Sequence, residues 1–440
     1  ITFAYSQTYE DALRYNSYNH EGTSRFNSMG GAFGALGGDL SSISINPAGS
    51  SIFLDSEFGV TLNYKNQEIK NIFNNSQSLS KNDLLSYNNI GLVLVYGNNR
   101  SKFSLGYNMN RLNDSSSSFS FTGKNSIGID SYFLDYSNGV PSSNLSVFDG
   151  ESIQSVYKTL GDSYGYGDQQ AFLGYQSYLI NHIDDLTNNY VSNAIYSNVD
   201  QLLSIDRKGD HLVHSLNLST SYNDNVYLGL NFNFHSLEFE EYKFFKESGY
   251  STNSSVKRVQ FEENLFSYGQ GLSIQLGSLL KFNNFRMGLS YTSPTYLKIE
   301  EESSQYIESD IIEDDTLNTV TVDPNTINLF EDYRLRLPSK TMLSLGYIFR
   351  SRGLISVDYE LTKYNNSKFD DNNGEDSYLK SLNNSIKNNF NGLSRSIRLG
   401  GEYRIRNYTL RSGYFIYEGP DSISDSQISG ISAGLGINYG

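Results

Sequence analysis

The sequence predicts an all-β protein, an antiparallel transmembrane β-barrel with an N-terminal plug and a partly helical insertion. Apolar residues alternate with small or polar ones in segments of about ten residues, as in barrel strands. The connections between these segments alternate between short turns and long loops. No apolar run approaches the roughly 18–20 residues of a membrane helix, so a membrane span would have to be a closed barrel.

The composition agrees with a barrel and excludes one class of partner. Tyr and Phe are abundant, at 35 and 26 residues, as in aromatic girdles, although an aromatic-rich soluble β protein would show the same excess. The formal net charge of −15 argues against nucleic acid as a partner, because phosphate binding needs cations. Eleven acidic residues and no Lys or Arg lie between Lys298 and Arg334, which predicts a solvated loop there.

The clearest alternation lies between residues 211 and 240. Leu228, Leu230 and Phe232 fall on one face of a strand, and Asn231 and Asn233 fall on the other. We expect the first face to contact lipid and the second to line the lumen. A soluble β-sandwich gives the same alternation, but its strands are usually shorter, at about 5–6 residues.

Twelve strands are predicted on this basis. They lie near 57–66, 89–97, 101–111, 211–222, 225–240, 267–282, 285–300, 333–349, 353–364, 394–405, 408–417 and 427–439. The long connections are 67–88, 112–210, 241–266, 302–332, 365–393 and the shorter 418–426, and they alternate with the short turns 98–100, 223–224, 283–284, 350–352 and 406–407. With a periplasmic N-terminus, every long connection lies outside the cell, as in outer-membrane barrels.

The first 56 residues divide into two parts. Residues 1–6 (ITFAYS) are short, apolar and small, which indicates the end of a secretory signal peptide, although a short first strand is the alternative. Residues 7–56 contain a glycine-rich stretch followed by the turn Asn46-Pro47. Glycines permit tight packing and positive φ angles, so this segment is predicted to be a compact plug inside the lumen. Residues 57–440 then form the barrel.

The 99-residue connection 112–210 is too long for a plain loop. Between Asp168 and Leu203 its apolar residues are spaced by one, three and four, which predicts an amphipathic helix over the barrel mouth. Five of its residues are a candidate groove for an apolar ligand: Phe172, Leu173, Leu179, Ile180 and Ile183.

Charged residues mark the inward face of the ninth to eleventh predicted strands. They are Asp358, Glu360, Arg398, Glu402, Arg404 and Arg411. Unpaired charges inside a barrel are costly, so these groups are expected to pair with one another or with the plug. The alternative makes Arg398 or Arg411 an anchor for a ligand carboxylate, because arginine binds carboxylates in a bidentate way.

No catalytic residue, metal site or cofactor is predicted, and nothing in the sequence points to a soluble enzyme. The five histidines are scattered, and two of them, His211 and His214, fall on opposite faces of one strand.

Several motifs in order along the chain resemble the FadL/TodX family of outer-membrane transporters for fatty acids and other hydrophobic compounds. The plug carries the family's Asp-Ser-…-Asn-Pro-Ala pattern at Asp39, Ser41, Asn46, Pro47 and Ala48. Weaker matches are Gly288–Pro294 (GLSYTSP), Leu337-Pro338-Ser339, and Arg398–Tyr403 (RLGGEY) followed by Arg411–Tyr414 (RSGY). The resemblance implies a 14-stranded barrel whose N-terminal segment is a hatch and whose extracellular helices form a first hydrophobic groove.

The resemblance also implies a function and a location. We expect passive uptake of a hydrophobic, long-chain fatty acid-like molecule across the outer membrane of a Gram-negative bacterium, with the lipid bilayer and lipopolysaccharide as surroundings. The alternative is a non-transporting scaffold bound to other outer-membrane proteins, since some relatives serve secretion systems in that way. Because the last predicted strand is a regular one and ends near Gly440, we also expect a final hairpin beyond the given sequence, whereas a 12-stranded variant is the alternative.

Overall fold

The computed structural model describes residues 7–16, 21–74, 76–98, 101–184, 188–350, 352–370, 377–422 and 427–438. The predicted signal-peptide remnant, residues 1–6, lies outside these ranges. Most of the described chain is antiparallel sheet. The strands are β1 (Glu57–Phe73), β2 (Ser76–Asn98), β3 (Ser101–Asp114), β4 (Ser117–Asn125), β5 (Ile180–Asp184), β6 (Asn189–Ser192), β7 (Val199–Tyr222), β8 (Val226–Ser248), β9 (Val256–Phe282), β10 (Phe285–Thr292), β11 (Thr295–Glu313), β12 (Thr316–Val322), β13 (Asn328–Leu329), β14 (Tyr333–Leu337), β15 (Lys340–Phe349), β16 (Gly353–Thr362), β17 (Lys368–Asp370), β18 (Ser394–Ile405), β19 (Tyr408–Glu418) and β20 (Gln427–Ile437).

Helices lie in the N-terminal segment and in the long connections. They are α1 (Tyr9–Asn16), α2 (Ser24–Ser28), α3 (Ser42–Ile45), α4 (Asp130–Ser137), α5 (Ser142–Leu145), α6 (Ile153–Ser163), α7 (Tyr166–Gln176) and α8 (Ser377–Asn389), with 3-10 turns at Pro47–Ile52 and Tyr364–Asn366. None of the helices in the described parts of the chain is long and apolar enough to cross a membrane.

One antiparallel sheet runs through twelve successive wall strands, as the sequence predicts. Its order is β1, β2, β3 with β4, β7, β8, β9, β10 with β11, β14 with β15, β16, β18, β19 and β20. Two wall strands are interrupted at prolines, Pro294 and Pro338, which lack the N–H that a ladder needs. Within the described residues no pairing joins β1 to β20, and the number of strands that completes the barrel stays a prediction.

The side-chain register of β8 confirms the predicted lipid and lumen faces. Leu228 and Phe232 are 53% and 42% exposed on the outer face, whereas Asn231 and Asn233 are buried in the lumen. Large apolar residues continue this outer face on neighbouring strands, including Leu276, Leu289 and Leu343. The fold is therefore that of a transmembrane β-barrel, with an apolar band outside and polar residues inside.

Three predicted loops are wrong, because the strands continue far past the apolar band. Residues 67–88 form the upper parts of β1 and β2, which turn at Asn74. The predicted loop 241–266 shrinks to 249–255, and the acidic stretch 302–332 is mostly β11 and β12. The outer faces of these extensions are mostly polar, so the apolar alternation that marks a membrane strand is missing there.

The helical predictions need two further corrections. The helix predicted from Asp168 to Leu203 is confined to α7, and the chain then forms the hairpin β5–β6 before entering β7. Ile180 and Ile183 therefore lie on a strand. The helices α4, α5, α6 and α8 were not predicted, because serine, asparagine and glycine obscure their apolar spacing.

The N-terminal segment occupies the lumen at two levels. Helix α1 packs beneath α8 and against β14 near the end of the barrel that carries the long connections, here called the loop end. Residues 21–56, here called the plug, contact the inner wall nearer the opposite end, where the short turns lie, here called the turn end.

Candidate functional site

The turn Asn46-Pro47-Ala48 anchors the plug to the barrel wall. The Asn46 amide nitrogen donates to the backbone carbonyl of Gly34 at 2.8 Å and to that of Ser278 at 3.0 Å. Its oxygen accepts from the Ala48 backbone N–H at 3.2 Å, which caps the following 3-10 turn. One side chain thus holds the plug in shape and ties it to β9.

Three glycines on adjacent strands form a cradle for this turn. They are Gly229 on β8, Gly277 on β9 and Gly288 on β10. A Cβ atom at Gly277 would overlap the Asn46 side-chain oxygen and come within 2.7 Å of the Pro47 ring, and one at Gly229 would overlap the Pro47 backbone. Because glycine has no side chain, the three strands allow the plug to approach their backbones directly at these positions.

Small polar side chains complete the seat of the plug. Ser50 donates to Asn217 at 2.5 Å, and the Ser51 and Ser219 hydroxyls lie 2.5 Å apart. The Asn217 amide also donates to the carbonyl of Pro47 at 3.0 Å. The contact between plug and wall is therefore made largely of hydrogen bonds.

The other two motif residues, Asp39 and Ser41, act within the plug. The Asp39 carboxylate accepts from the Thr23 hydroxyl at 2.8 Å and from the Ser41 backbone N–H at 3.0 Å. The Ser41 hydroxyl in turn accepts from the Thr23 backbone N–H at 2.7 Å. These bonds join the start of α2 to the start of α3, so the motif keeps the plug compact.

A buried ion triad lies beside the plug. The Arg398 guanidinium, which is fully buried, lies 3.0 Å from the Glu360 carboxylate and 3.8 Å from the Asp358 carboxylate. Asp358 also accepts from the Gly34 backbone N–H at 3.0 Å. The expectation that Arg398 pairs with neighbouring carboxylates is confirmed, and the triad also contacts the plug.

A second charged group lies towards the turn end. The Glu402 carboxylate accepts from Arg411 at 2.9 Å, from Arg404 at 2.8 Å and from the plug residue Arg25 at 3.0 Å. Arg411 is thus paired as well, and three cations share one carboxylate. The sequence did not reveal that the plug supplies one of these cations, because 377 residues separate Arg25 from Glu402.

A cavity of about 90 Å³ lies in the lumen between α1 and the plug. Tyr15 and Asn16 bound it at one side, and Ser44 and Ile45 of the plug bound it at the other. Its wall is mixed in polarity and includes Met342. The cavity is smaller than the roughly 300–1,000 Å³ of pockets for drug-sized ligands, so a larger guest requires α1 or the plug to move.

A histidine pair on the cavity wall was missed by sequence reasoning. His211 and His235 face inward on β7 and β8, and their ring nitrogens lie 3.0 Å apart. His235 also contacts the Ser273 hydroxyl at 2.9 Å. The two histidines are 24 residues apart on the two arms of one hairpin, and the register of β7 and β8 brings them together. Within the described residues, no cluster of three or more potential ligands could hold a metal ion.

The five predicted groove residues do not form one open surface. Phe172, Leu173, Leu179 and Ile180 are fully buried in an apolar cluster with β9 and β11 at the loop end, whereas Ile183 is exposed on β5. The α6 residue Tyr157 joins this cluster and donates to Gln305 at 3.0 Å, and burial raises the pKa of its hydroxyl to about 12. Ligand capture here stays a prediction that requires the cluster to open.

These features define a plugged transmembrane β-barrel, and the barrel has the fold of known channels. A solved structure described as a Pseudomonas aeruginosa FadL homologue matches 95% of this chain and 86% of its own, at 12% identity and a TM-score of 0.50. A structure of the TodX monoaromatic hydrocarbon channel, deltaS2 mutant, matches 95% of this chain and 89% of its own, also at 12% identity and 0.50. No protein-family model and no curated protein matches the chain. The expected FadL/TodX resemblance is thus confirmed in the fold.

Proposed function

We propose that this protein is an outer-membrane channel for the passive uptake of hydrophobic small molecules. The observation that carries the proposal is the lumen cavity between α1 and the plug, inside a barrel whose fold is that of a monoaromatic hydrocarbon channel. In this reading the turn end faces the periplasm and the loop end faces outward. A molecule entering from outside would pass α1, occupy the cavity, and leave when the plug moves.

The contacts of the plug suit such a movement. Hydrogen bonds to polar wall residues such as Asn217 and Ser219 can be exchanged for water when the plug shifts. Phe26 and Phe33 pack against each other in a cluster formed mainly by plug residues, so they can travel with the plug. A hydrophobic guest needs no energy source for this path, because it moves down its own concentration gradient.

A reversible lock of the plug tests the proposal. The chain has no cysteine, and the Ser51 and Ser219 hydroxyls lie 2.5 Å apart, so the pair Ser51→Cys and Ser219→Cys should form a disulfide between plug and wall. The control pair, Ser412→Cys and Ala433→Cys, joins exposed register partners on β19 and β20 and bridges only the wall. Both would be expressed in a Gram-negative host that lacks a channel for hydrophobic compounds.

The uptake rates of radiolabelled toluene and oleate are then compared with and without reductant. We expect the plug–wall disulfide to reduce uptake to that of cells without the channel, and reductant to restore it. The wall–wall disulfide should leave uptake unchanged. Uptake that is unaffected by the plug–wall disulfide would contradict movement of the plug, and the absence of uptake by the wild-type chain would contradict the channel itself. If the wild-type chain gives no uptake, the scaffold alternative replaces the channel proposal and is tested by cross-linking to other outer-membrane proteins.

A further inference from the structure

Four cations lie together on the outer wall of the barrel. They are Lys298 on β11, Arg334 and Arg336 on β14, and Lys368 on β17, here called the cationic patch. Lys298 lies directly opposite Arg334 in the register of β11 and β14, and Arg336 lies directly opposite Lys368 in the register of β14 and β17. Their neighbours along β14, such as Leu335, are buried on the inner face, so the cations point outward.

The patch lies at the loop-end edge of the apolar band. Below it on the outer face, β10 exposes Met287, Leu289 and Tyr291, and β11 exposes Tyr296. The next outward residue on β11 is Lys298, and polar residues continue from there. The cations are thus at the height where lipid headgroups meet the wall.

An exterior groove of about 630 Å³ leads from the apolar band to the patch. Phe234, Leu272 and Tyr296 form its apolar side, and all three are about half exposed. Lys298 and Arg334 line its other side. An amphiphile whose acyl chains lie in the groove and whose anionic group lies against the cationic patch would complement both in shape and charge.

The charge arrangement of the patch favours an anionic partner. Lys298 is paired with Glu300 at 2.8 Å and Asp332 at 2.6 Å. Asp370 lies directly opposite Arg334 in the register of β14 and β17, but across the described residues no ion pair joins Arg334, Arg336 or Lys368 to a carboxylate. Like charges directly opposite on neighbouring strands destabilise a sheet, and Arg336 and Lys368 are such a pair in a chain whose net charge is −15. An anion between them would remove the repulsion.

We propose that the cationic patch and the groove below it bind a phosphorylated glycolipid of the outer leaflet. Its acyl chains would lie along Phe234, Leu272 and Tyr296, and its phosphates would contact Arg334, Arg336 and Lys368. Arginine suits this role, since its planar guanidinium donates two parallel hydrogen bonds to a phosphate. The proposal rests on the outer-membrane placement given under the proposed function.

Native mass spectrometry of the full chain in detergent tests this site, with bis-phosphorylated lipid A as the probe. The test variant is Arg334→Gln, Arg336→Gln, Lys368→Gln. The control variant is Lys70→Gln, Lys81→Gln, Lys124→Gln, which removes the same charge from exposed strand extensions. Heat-modifiable migration on a gel checks that each variant is folded. With each cation near a lipid surface contributing on the order of a factor of five, we expect the test variant to bind about a hundredfold more weakly and the control to bind normally.

Further lipids distinguish the source of the phosphate. Dephosphorylated lipid A and phosphatidylglycerol should both bind much more weakly than lipid A to the wild-type chain, and the variant Arg334→Lys, Arg336→Lys should keep most of the binding. The reference is the binding of lipid A to the wild-type chain. The proposal would be overturned if the test variant bound lipid A equally well, or if the wild-type chain bound dephosphorylated lipid A or phosphatidylglycerol equally well. Lipid binding is measured independently of uptake. A failure of the lipid-site proposal would therefore leave the channel proposal standing, and a failure of uptake would leave the lipid site still open to this test.

Discussion

The Asn46 amide nitrogen lies 3.0 Å from the backbone carbonyl oxygen of Ser278, and this hydrogen bond ties the plug to a wall strand 232 residues further along the chain. The same nitrogen donates to Gly34 within the plug. One side chain therefore contributes both to the order of the plug and to its attachment to the wall.

Asn46→Ala should loosen the plug while leaving the barrel folded. The substitution removes the buried hydrogen bonds from Asn46 to Gly34 and Ser278, at a cost of about 1–3 kcal/mol. Hydrogen–deuterium exchange should show faster exchange of the plug amides and unchanged exchange of β8 and β9. Asn66→Ala, at an exposed position on β1, is the control. Unchanged protection of the plug in Asn46→Ala would show that its anchor lies elsewhere.

Gly277→Ala should displace the turn that carries Asn46. Its methyl group would overlap the Asn46 side chain, and overpacking of this kind typically costs about 1–3 kcal/mol. Gly401→Ala on β18 is the matched control, because the nearest atom to its new Cβ is the Leu354 carbonyl oxygen at 3.8 Å. Urea unfolding in detergent should detect the loss of stability for Gly277→Ala only. Equal stability of the two variants would be inconsistent with a close seat for the plug.

Arg398→Ala should destabilise the barrel because it leaves the Asp358 and Glu360 carboxylates buried without their cation. Breaking a buried ion pair from one side costs about 3–5 kcal/mol. Arg395→Ala, at an exposed position on the same strand, should have little effect on the unfolding free energy. A stable Arg398→Ala barrel that has lost uptake would instead support the role of Arg398 as an anchor for a ligand carboxylate.

Leu230→Arg should test the lipid face of β8. An arginine near the bilayer midplane costs about 2–4 kcal/mol in a β-barrel. Glu238 lies on the outer face of the same strand beyond the apolar band. The control substitution Glu238→Arg should therefore change the unfolding free energy little. The comparison is made by folding both variants into lipid bilayers over a urea series. Similar free energies for the two would mean that the band has been placed at the wrong height.

The wall could be predicted from sequence because lipid imposes a rule on every membrane strand. Outward residues such as Leu228 must be apolar, and the alternation with Asn231 follows directly. Above the apolar band water accepts any side chain, so residues 67–88 follow no such pattern and their strands were missed.

The contents of the lumen were harder to predict, because they depend on which strands become neighbours. The Asn46-Pro47-Ala48 motif indicated a plug, but its cradle combines glycines 229, 277 and 288, which no local pattern relates. The pairing of Arg398 was expected from the cost of a buried charge. The ion pair of Arg25 with Glu402 arises only from the tertiary structure, whereas the contact of His211 with His235 lies within a predicted hairpin and was missed because its register was not worked out.

The position of α1 and the plug inside the lumen constrains how the protein assembles. The plug completes its contacts only when the last described strand is in place, because the Ser28 carbonyl accepts a hydrogen bond from the Ser432 hydroxyl, 404 residues away. Contacts of such high sequence separation slow folding, since a long loop must close before any stabilisation is gained. Wrapping the wall around the plug while the wall closes would form these contacts directly. A plug left outside during closure could reach its seat only through an end of the finished barrel, past the charged groups and the long connections there.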